Sequence, residues 1–118
     1  IDSAIANFIL KSTETACHVI CDSKVLVEKV LKRVSNYRNV LMITGDSSNY
    51  EQMRCAEQWA SGTYDVLVST VVALVGNENK MCKTIIVGGF LFNVSSLVQA
   101  IGRLRPNQRG KGSSVVVF

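Results

Sequence analysis

Short apolar runs alternate with segments of helical periodicity along nearly the whole chain. Five of these runs are rich in β-branched residues, and most are apolar throughout instead of alternating with polar positions. That pattern is typical of strands buried on both faces of a parallel sheet. The predicted strands are residues 18–21, 40–44, 65–69, 84–87 and 114–118.

Helices are predicted between the strands because apolar residues recur there every three or four positions. Ser23 is suited to cap the N-terminus of one helix, and Asn49 that of another over residues 50–60, which Gly62 ends. The first of these helices directs four apolar side chains to one face, Val27, Val30, Leu31 and Val34.

An opening helix is predicted over about residues 3–11, with Ile5, Phe8 and Ile9 facing inward. Strand and helix then alternate, so we expect βαβ units with right-handed crossovers. The predicted fold class is α/β, a three-layer sandwich around a mainly parallel sheet of five or more strands. With 118 residues, 47% of them hydrophobic, the chain fits one domain over residues 1–118.

Composition narrows the cellular setting. The net charge of +4 suits a polyanionic partner but is also common in proteins that never bind one. The four cysteines lack zinc-site spacing and the density of a disulfide scaffold, so we expect them to be reduced and structural, in the nucleus or cytoplasm. No apolar stretch approaches the ~20 residues of a membrane span. The first residues lack the basic start of a signal peptide, and we expect the chain to begin inside a larger protein.

Polar residues follow three of the predicted strands directly. Ligands of parallel α/β sheets bind beyond the carboxyl ends of the strands, so these residues are candidates for binding. Each alone also fits an ordinary turn or helix cap. The candidates are Asp22 and Ser23, then Thr44, Gly45 and Asp46, then Ser69 and Thr70.

The segment over residues 96–106 carries the strongest chemical signal. On a helical wheel of about 100° per residue its apolar side chains fall on one side, and Gln99, Gly102 and Arg103 fall on the other. One face packs, and the other presents an amide, a glycine and a guanidinium. The apolar side holds Leu97, Ala100, Ile101 and Leu104.

With this segment, the chain resembles the second RecA-like lobe of superfamily 2 helicases, whose signature here is glutamine, two residues, glycine and arginine. The resemblance covers almost the entire chain. Residues 65–70 are similar to the family's preceding motif, a buried strand that ends in threonine, here Thr70. Gly76, Asn77 and Glu78 stand where the family usually has glycine, any residue and aspartate. The interval from Glu78 to Gln99 aligns with RecQ-type members without a gap, which favours that branch.

The resemblance implies a fold like that of P-loop NTPases but without a phosphate loop of its own. It implies that Arg103 neutralises charge on the phosphoryl group of an ATP bound between two lobes. It also implies that Gln99 holds the arginine or the γ-phosphate, and that Gly102 allows a neighbouring backbone or a ligand to approach closely. Gly76 and Glu78 belong to the same nucleotide-binding set, with Glu78 either pairing with an arginine of the last helix or capping a loop.

The chain departs from the family at Pro106, which stands where a second arginine is usual, three residues after the first. Arg105 comes one position too early. A residue before proline avoids helical dihedrals, so the helix should end near Leu104, and either Arg105 or Arg109 can replace the missing contact.

The resemblance further implies contacts with the backbone of DNA or RNA. Hydroxyls and backbone amides bind phosphate without reading bases, which suits a motor that steps along any sequence. Lys24, Arg38 and Lys80 are candidates to add attraction, although surface lysines are usually only solvated. The implied contact residues are Ser23, Thr44, Gly45, Ser69 and Thr70.

Neither the lysine-bearing phosphate loop nor the acidic magnesium motif occurs in the chain, and both belong to the first lobe. ATP and Mg²⁺ are therefore expected to bind mainly to that lobe, which is the expected partner, and the isolated chain is expected to be inactive. One alternative is a non-catalytic nucleic-acid-binding module derived from such a lobe. Another is a stand-alone flavodoxin- or receiver-like domain that uses Asp22 or Asp46.

Three further features are interpreted as structural. Residues 110–114 lack the first glycine of a phosphate loop and precede a strand instead of a helix. His18 has no partner at metal-ligand spacing, so it is predicted to be a packed or edge histidine. Trp59 is predicted to anchor its helix to the sheet.

Overall fold

Helices and strands alternate along the part of the chain that the computed structural model describes, residues 1–11, 16–70, 82–89 and 114–118. Each of the five predicted strands forms, shifted at its ends by at most two residues or so. The elements of these ranges are α1 (Asp2–Lys11), β1 (Ala16–Cys21), α2 (Lys24–Val34), β2 (Val40–Ile43), α3 (Asn49–Ala60), β3 (Val66–Thr70), β4 (Cys82–Gly88) and β5 (Ser114–Val117).

The five strands form one sheet in the order β2-β3-β1-β4-β5, and every neighbouring pair is parallel. In flavodoxin- and receiver-like sheets the second strand lies directly beside the first, in the order 2-1-3-4-5. Here β3 lies between them. The alternative of a stand-alone flavodoxin- or receiver-like domain is therefore wrong, and the difference is one of strand order, which apolar runs do not encode.

Helices cover both faces of the sheet because the chain reverses direction across it. The connection from β1 through α2 leads past β3 to the edge strand β2, and the connection through α3 leads back to β3. Right-handed crossovers in opposite directions place their helices on opposite faces. We call these the α2 face, which α1 also covers, and the α3 face. The three-layer parallel architecture predicted from the sequence is confirmed.

Strand residues contribute alternately to two apolar cores, one on each face. Val19 and Ile86 lie in the core under α1 and α2, whereas Ile20 and Ile85 lie in the core under α3. This alternation explains why the runs are apolar throughout, because both sides of each central strand are covered. None of the helices in the described ranges is both long enough and apolar enough to cross a bilayer.

The helix boundaries confirm one predicted cap and correct another. Ser23 caps α2, and its Oγ accepts a hydrogen bond from the Leu26 amide at 3.3 Å. Ser48, not Asn49, caps α3, with its Oγ accepting from the Glu51 amide at 3.1 Å. Serine and asparagine are about equally good caps, so composition could not separate these two neighbours.

Gly62 follows the end of α3 with a φ of +79°, as its predicted role as a helix stop requires.

The opening helix places Ile5 and Ile9 in the core but not Phe8. The Phe8 side chain is 37% exposed and packs edge-on against Phe118, with ring centroids 6.0 Å apart. Its predicted inward position is therefore wrong. Phe118 follows β5 directly, so Phe8 packs beside an edge strand of the described sheet, where fewer side chains surround it than at the centre.

The α3 face contains the single tryptophan and the single histidine of the chain. Trp59 is buried against the sheet, which confirms its predicted role as the anchor of α3. The His18 ring lies 6.4 Å from the Trp59 ring, centroid to centroid, so its interpretation as a packed histidine is confirmed. On the α2 face, burial raises the pKa of the Cys21 thiol to about 12, which keeps it protonated as a small apolar group.

Candidate functional site

The carboxyl ends of β1, β2 and β3 meet at one edge of the sheet because the strands are parallel. Register pairs Cys21 of β1 with Thr70 of β3, and Ile43 of β2 with Ser69 of β3. We call the residues at these ends, 22–24, 44–46 and 69–70, the exit edge. All five of the predicted nucleic-acid contacts lie on it, so the fold brings together residues that are far apart in sequence.

At the end of β1, the Ser23 hydroxyl already serves the helix that it begins. Its oxygen accepts from the Leu26 amide, but its own O–H and a second lone pair stay available to a ligand. Ser23 is partly exposed and the adjacent Lys24 is exposed. The first turn of α2 thus presents a hydroxyl and an ammonium group at the exit edge.

At the end of β2, Thr44 builds a tight turn. Its Oγ1 accepts from the Asp46 amide at 3.3 Å, and its own amide donates to Ser47 Oγ at 3.1 Å. The Thr44 side chain is buried, whereas Gly45 and Asp46 are exposed. In this turn, the backbone of Gly45 is therefore better placed for a ligand than the threonine hydroxyl is.

Lys24 and Asp46 link the ends of β1 and β2. Lys24 Nζ donates to Asp46 Oδ2 at 2.8 Å, and both side chains are exposed, by 51% and 73%. Because β3 lies between β1 and β2, this ion pair spans the carboxyl end of β3. The hydrogen bond raises the pKa of Lys24 and lowers the pKa of Asp46.

At the end of β3, two adjacent hydroxyls have different surroundings. Ser69 is 1% exposed, and its Oγ lies 2.8 Å from Nε2 of His18 on the α3 face. Strand alternation places Thr70 on the α2 face, 8% exposed, and its Oγ1 has no hydrogen-bond partner within the described part of the chain. Ser69 is therefore held by a bond within the protein, while the Thr70 hydroxyl is also buried but has unused hydrogen-bonding capacity.

The end of β4 adds a feature that the sequence analysis missed. Gly89 has a φ of +86°, and an added Cβ there would collide with the carboxylate of Asp22. The Asp22 amide donates to the Gly88 carbonyl at 3.1 Å. These contacts hold the loop after β1 against the end of β4. Two consecutive glycines after an apolar run are the sequence signal that could have indicated this turn.

The predicted nucleotide-binding residues cannot be placed, because they lie outside the described residues together with Arg109 and Pro106. Their roles stay predictions. Within the described ranges, no three histidine, cysteine, aspartate or glutamate residues are grouped so that they could hold a metal ion. The predicted residues concerned are Gly76, Glu78, Gln99, Gly102, Arg103 and Arg105.

Comparison with known proteins gives a family match over residues 2–106, to the helicase conserved C-terminal domain. No curated protein sequence matches the chain. The C-terminal domain of S. cerevisiae Dbp5, solved with Gle1 and IP6, is similar, with a TM-score of 0.78 and 15% identity. That match covers 99% of this chain and 67% of the Dbp5 chain.

Two further structures have the same fold. The E. coli DEAD-box protein SrmB, solved with the regulator of ribonuclease activity A, matches with a TM-score of 0.73 and 15% identity, covering 98% of this chain and 68% of SrmB. The Mycobacterium smegmatis helicase Lhr, solved with single-stranded DNA and AMP-PNP, matches with a TM-score of 0.69 and 17% identity. This match covers 98% of the chain but only 16% of Lhr.

The family match spans the exit edge and the 99–103 segment together, and the parallel sheet is that of the solved helicase lobes. The chain therefore belongs to the helicase conserved C-terminal domain family, and it has the α/β fold of the solved helicase lobes.

Proposed function

We propose that the chain acts as the second motor lobe of an ATP-dependent helicase or translocase. In this role Arg103 completes a nucleotide site shared with a first lobe, and the exit edge grips the backbone of DNA or RNA. The observation that carries the proposal is the family match over residues 2–106, because it includes both of these regions. The chain spans 16% of Lhr, so the activity of a whole protein is part of the proposal.

The nucleotide part of the proposal rests on the charge of one side chain. A guanidinium is always protonated, so Arg103 would neutralise charge as it builds on the transferred phosphoryl group. Gln99 and Gly102 would support it from the same predicted helix, with Gly76 and Glu78 in the same nucleotide-binding set. Mg²⁺ is assigned to the first lobe because the acidic magnesium motif of the family belongs to that lobe.

The test of the nucleotide role is Arg103→Ala in the protein that contains both lobes. Nucleic-acid-stimulated ATP hydrolysis should fall about tenfold or more, since one charge that stabilises the transition state is lost. Arg54→Ala is the matched control, because Arg54 is an exposed arginine of α3 that bonds only to the Tyr50 hydroxyl in the described structure. Unchanged turnover in the Arg103 variant would refute the assignment.

The backbone grip assigns different roles to the five predicted contacts. Gly45 offers exposed backbone, Ser23 a partly exposed hydroxyl, and Thr70 a hydroxyl with unused capacity. Thr44 and Ser69 are engaged within the protein, so we propose that they support the edge instead of touching phosphate through their side chains. The residues proposed to contact phosphate are therefore Ser23, Gly45 and Thr70.

Thr70→Val tests the grip without disturbing the fold. Valine keeps the branched shape, and the lost hydroxyl has no partner among the described residues, so the free energy of unfolding should not fall. Affinity for single-stranded oligonucleotides should drop about threefold to tenfold if the hydroxyl binds phosphate. Equal affinity of the variant and the parent would remove Thr70 from the grip.

The RecQ branch and the second arginine stay open within this proposal. The RecQ assignment rests on the ungapped interval from Glu78 to Gln99, and the DEAD-box structures above do not support it. Pro106 in place of the second arginine favours the alternative of a non-catalytic nucleic-acid-binding module. If that alternative holds, the two-lobe protein binds nucleic acid, but neither it nor its Arg103→Ala variant hydrolyses ATP.

A further inference from the structure

The ion pair across the exit edge neutralises the only lysine at the β1 and β2 ends of that edge. Lys24 opens α2 and Asp46 follows β2, and their 2.8 Å contact crosses the carboxyl end of β3, where Thr70 ends the strand. A lysine paired in this way contributes little net positive charge toward a phosphate. Its partner carboxylate repels the same phosphate.

The geometry of the pair allows Lys24 to exchange the Asp46 carboxylate for another anion, such as a phosphate. Both side chains are more than half exposed, so solvent screens their attraction and little structure depends on the contact. The turn that positions Asp46 is held by other bonds, because the Asp46 amide donates to Thr44 Oγ1 whether or not the carboxylate holds Lys24. Asp46 can therefore release Lys24 without unfolding the turn.

We propose that Asp46 is a built-in competitor of the nucleic-acid backbone: it holds Lys24 in the free lobe, and a phosphate must displace it to bind Lys24 beside Thr70. This inference rests on the proposed grip of the exit edge. It assigns Asp46 an inhibitory role and makes Lys24 a phosphate contact only after the exchange. The two acidic residues closest to Lys24 in sequence do not replace Asp46. Glu28 attracts Lys24 more weakly from within α2, and Asp22 is held against Gly89.

The chain contains a matched pair for comparison. Arg33 Nε donates to Asp2 Oδ2 at 2.6 Å, which is also an exposed contact between a basic residue of α2 and an aspartate of another element. Arg33 lies in the last turn of α2, about 13 Å along the helix axis from Lys24. Asp2→Asn therefore changes the net charge as Asp46→Asn does, but away from the exit edge.

The test compares the two asparagine variants by fluorescence anisotropy with a labelled single-stranded oligonucleotide of about twelve nucleotides, across a salt series. Asp46→Asn should bind about threefold to tenfold more tightly than the parent chain, because Lys24 no longer needs to be released. The slope of log K against log salt should stay close to that of the parent, because the same Lys24–phosphate contact forms in both complexes. Asp2→Asn should change the affinity less than about twofold.

A second variant identifies the lysine. Adding Lys24→Gln to Asp46→Asn should abolish the gain in affinity and make the slope shallower by about 0.7, because one phosphate contact to a single strand is lost. Equal effects of Asp46→Asn and Asp2→Asn, or a gain that persists without Lys24, would overturn this inference while the proposed grip stands. Absence of binding by the parent chain and by both asparagine variants would overturn the grip and this inference together.

Discussion

The His18 imidazole and the Ser69 hydroxyl lie 2.8 Å apart inside the α3 face, joining the first and third strands of the sheet. Both side chains are buried, and Ser69 directly precedes Thr70, the last residue of β3. The bond engages one of two adjacent hydroxyls, while the other, on the opposite face, has no partner within the described part of the chain. It therefore contributes to the division of the exit edge into residues that support it and residues available to a ligand.

Acid should destabilise the fold through His18. Burial lowers the pKa of His18 to about 4, from 6.5 in the unfolded chain, so between these pH values only the unfolded state binds the proton. The contribution of neutral His18 to the free energy of unfolding is complete above pH 6.5. It decreases as the pH falls toward 4, and about 2 kcal/mol of it is lost at pH 5. Urea unfolding at pH 7 and pH 5 measures this loss. His18→Gln should abolish most of it, and an equal loss in that variant would contradict the prediction.

The buried pair should behave as a coupled unit. Ser69→Ala leaves Nε2 of His18 without its partner and should lower the free energy of unfolding by about 1–3 kcal/mol. The double variant His18→Leu/Ser69→Ala should cost less than the sum of the two single changes, because replacing both partners leaves nothing unpaired. A double-mutant cycle at pH 7 measures the difference. Strict additivity would show that the contact contributes nothing to stability.

Two glycines with left-handed backbone should differ in their tolerance of alanine. Gly62 has a φ of +79° and open space around its missing Cβ, so alanine should cost only about 1–2 kcal/mol of backbone strain. Gly89 has a φ of +86° and the Asp22 carboxylate against it, so alanine should cost more. Thermal unfolding of both variants compares them. Asp22→Ala in the Gly89→Ala background should recover part of the difference, and no recovery would contradict the packing argument.

Alanine at the N-cap of α3 should lower the free energy of unfolding, whereas alanine at the next residue should not. Ser48→Ala removes the acceptor of the Glu51 amide and should lower the free energy of unfolding by about 1 kcal/mol. Asn49→Ala changes a residue that already belongs to the helix, so its effect should stay within about 0.5 kcal/mol. Denaturant titration of the two variants separates them. The reverse order would restore Asn49 as the cap.

Local patterns were sufficient to predict the elements and the fold class. The apolar runs identified all five strands, and the Ser23 cap and the Gly62 stop follow from side-chain and backbone chemistry within a few residues. The burial of Trp59 is also a local inference, since it lies on the apolar side of its own helix. The helicase-lobe resemblance came from short motifs and is confirmed by the family match.

The sequence by itself determined that helices and parallel strands alternate here and where the strands end to within about two residues, because periodicity and capping act over a few neighbouring positions. Only the tertiary structure decided the strand order, which placed β3 between β1 and β2. That order brings His18 to Ser69, 51 positions away, and Lys24 to Asp46, 22 positions away. Such contacts depend on which strands become neighbours, and apolar strands carry no local signal that specifies their neighbours.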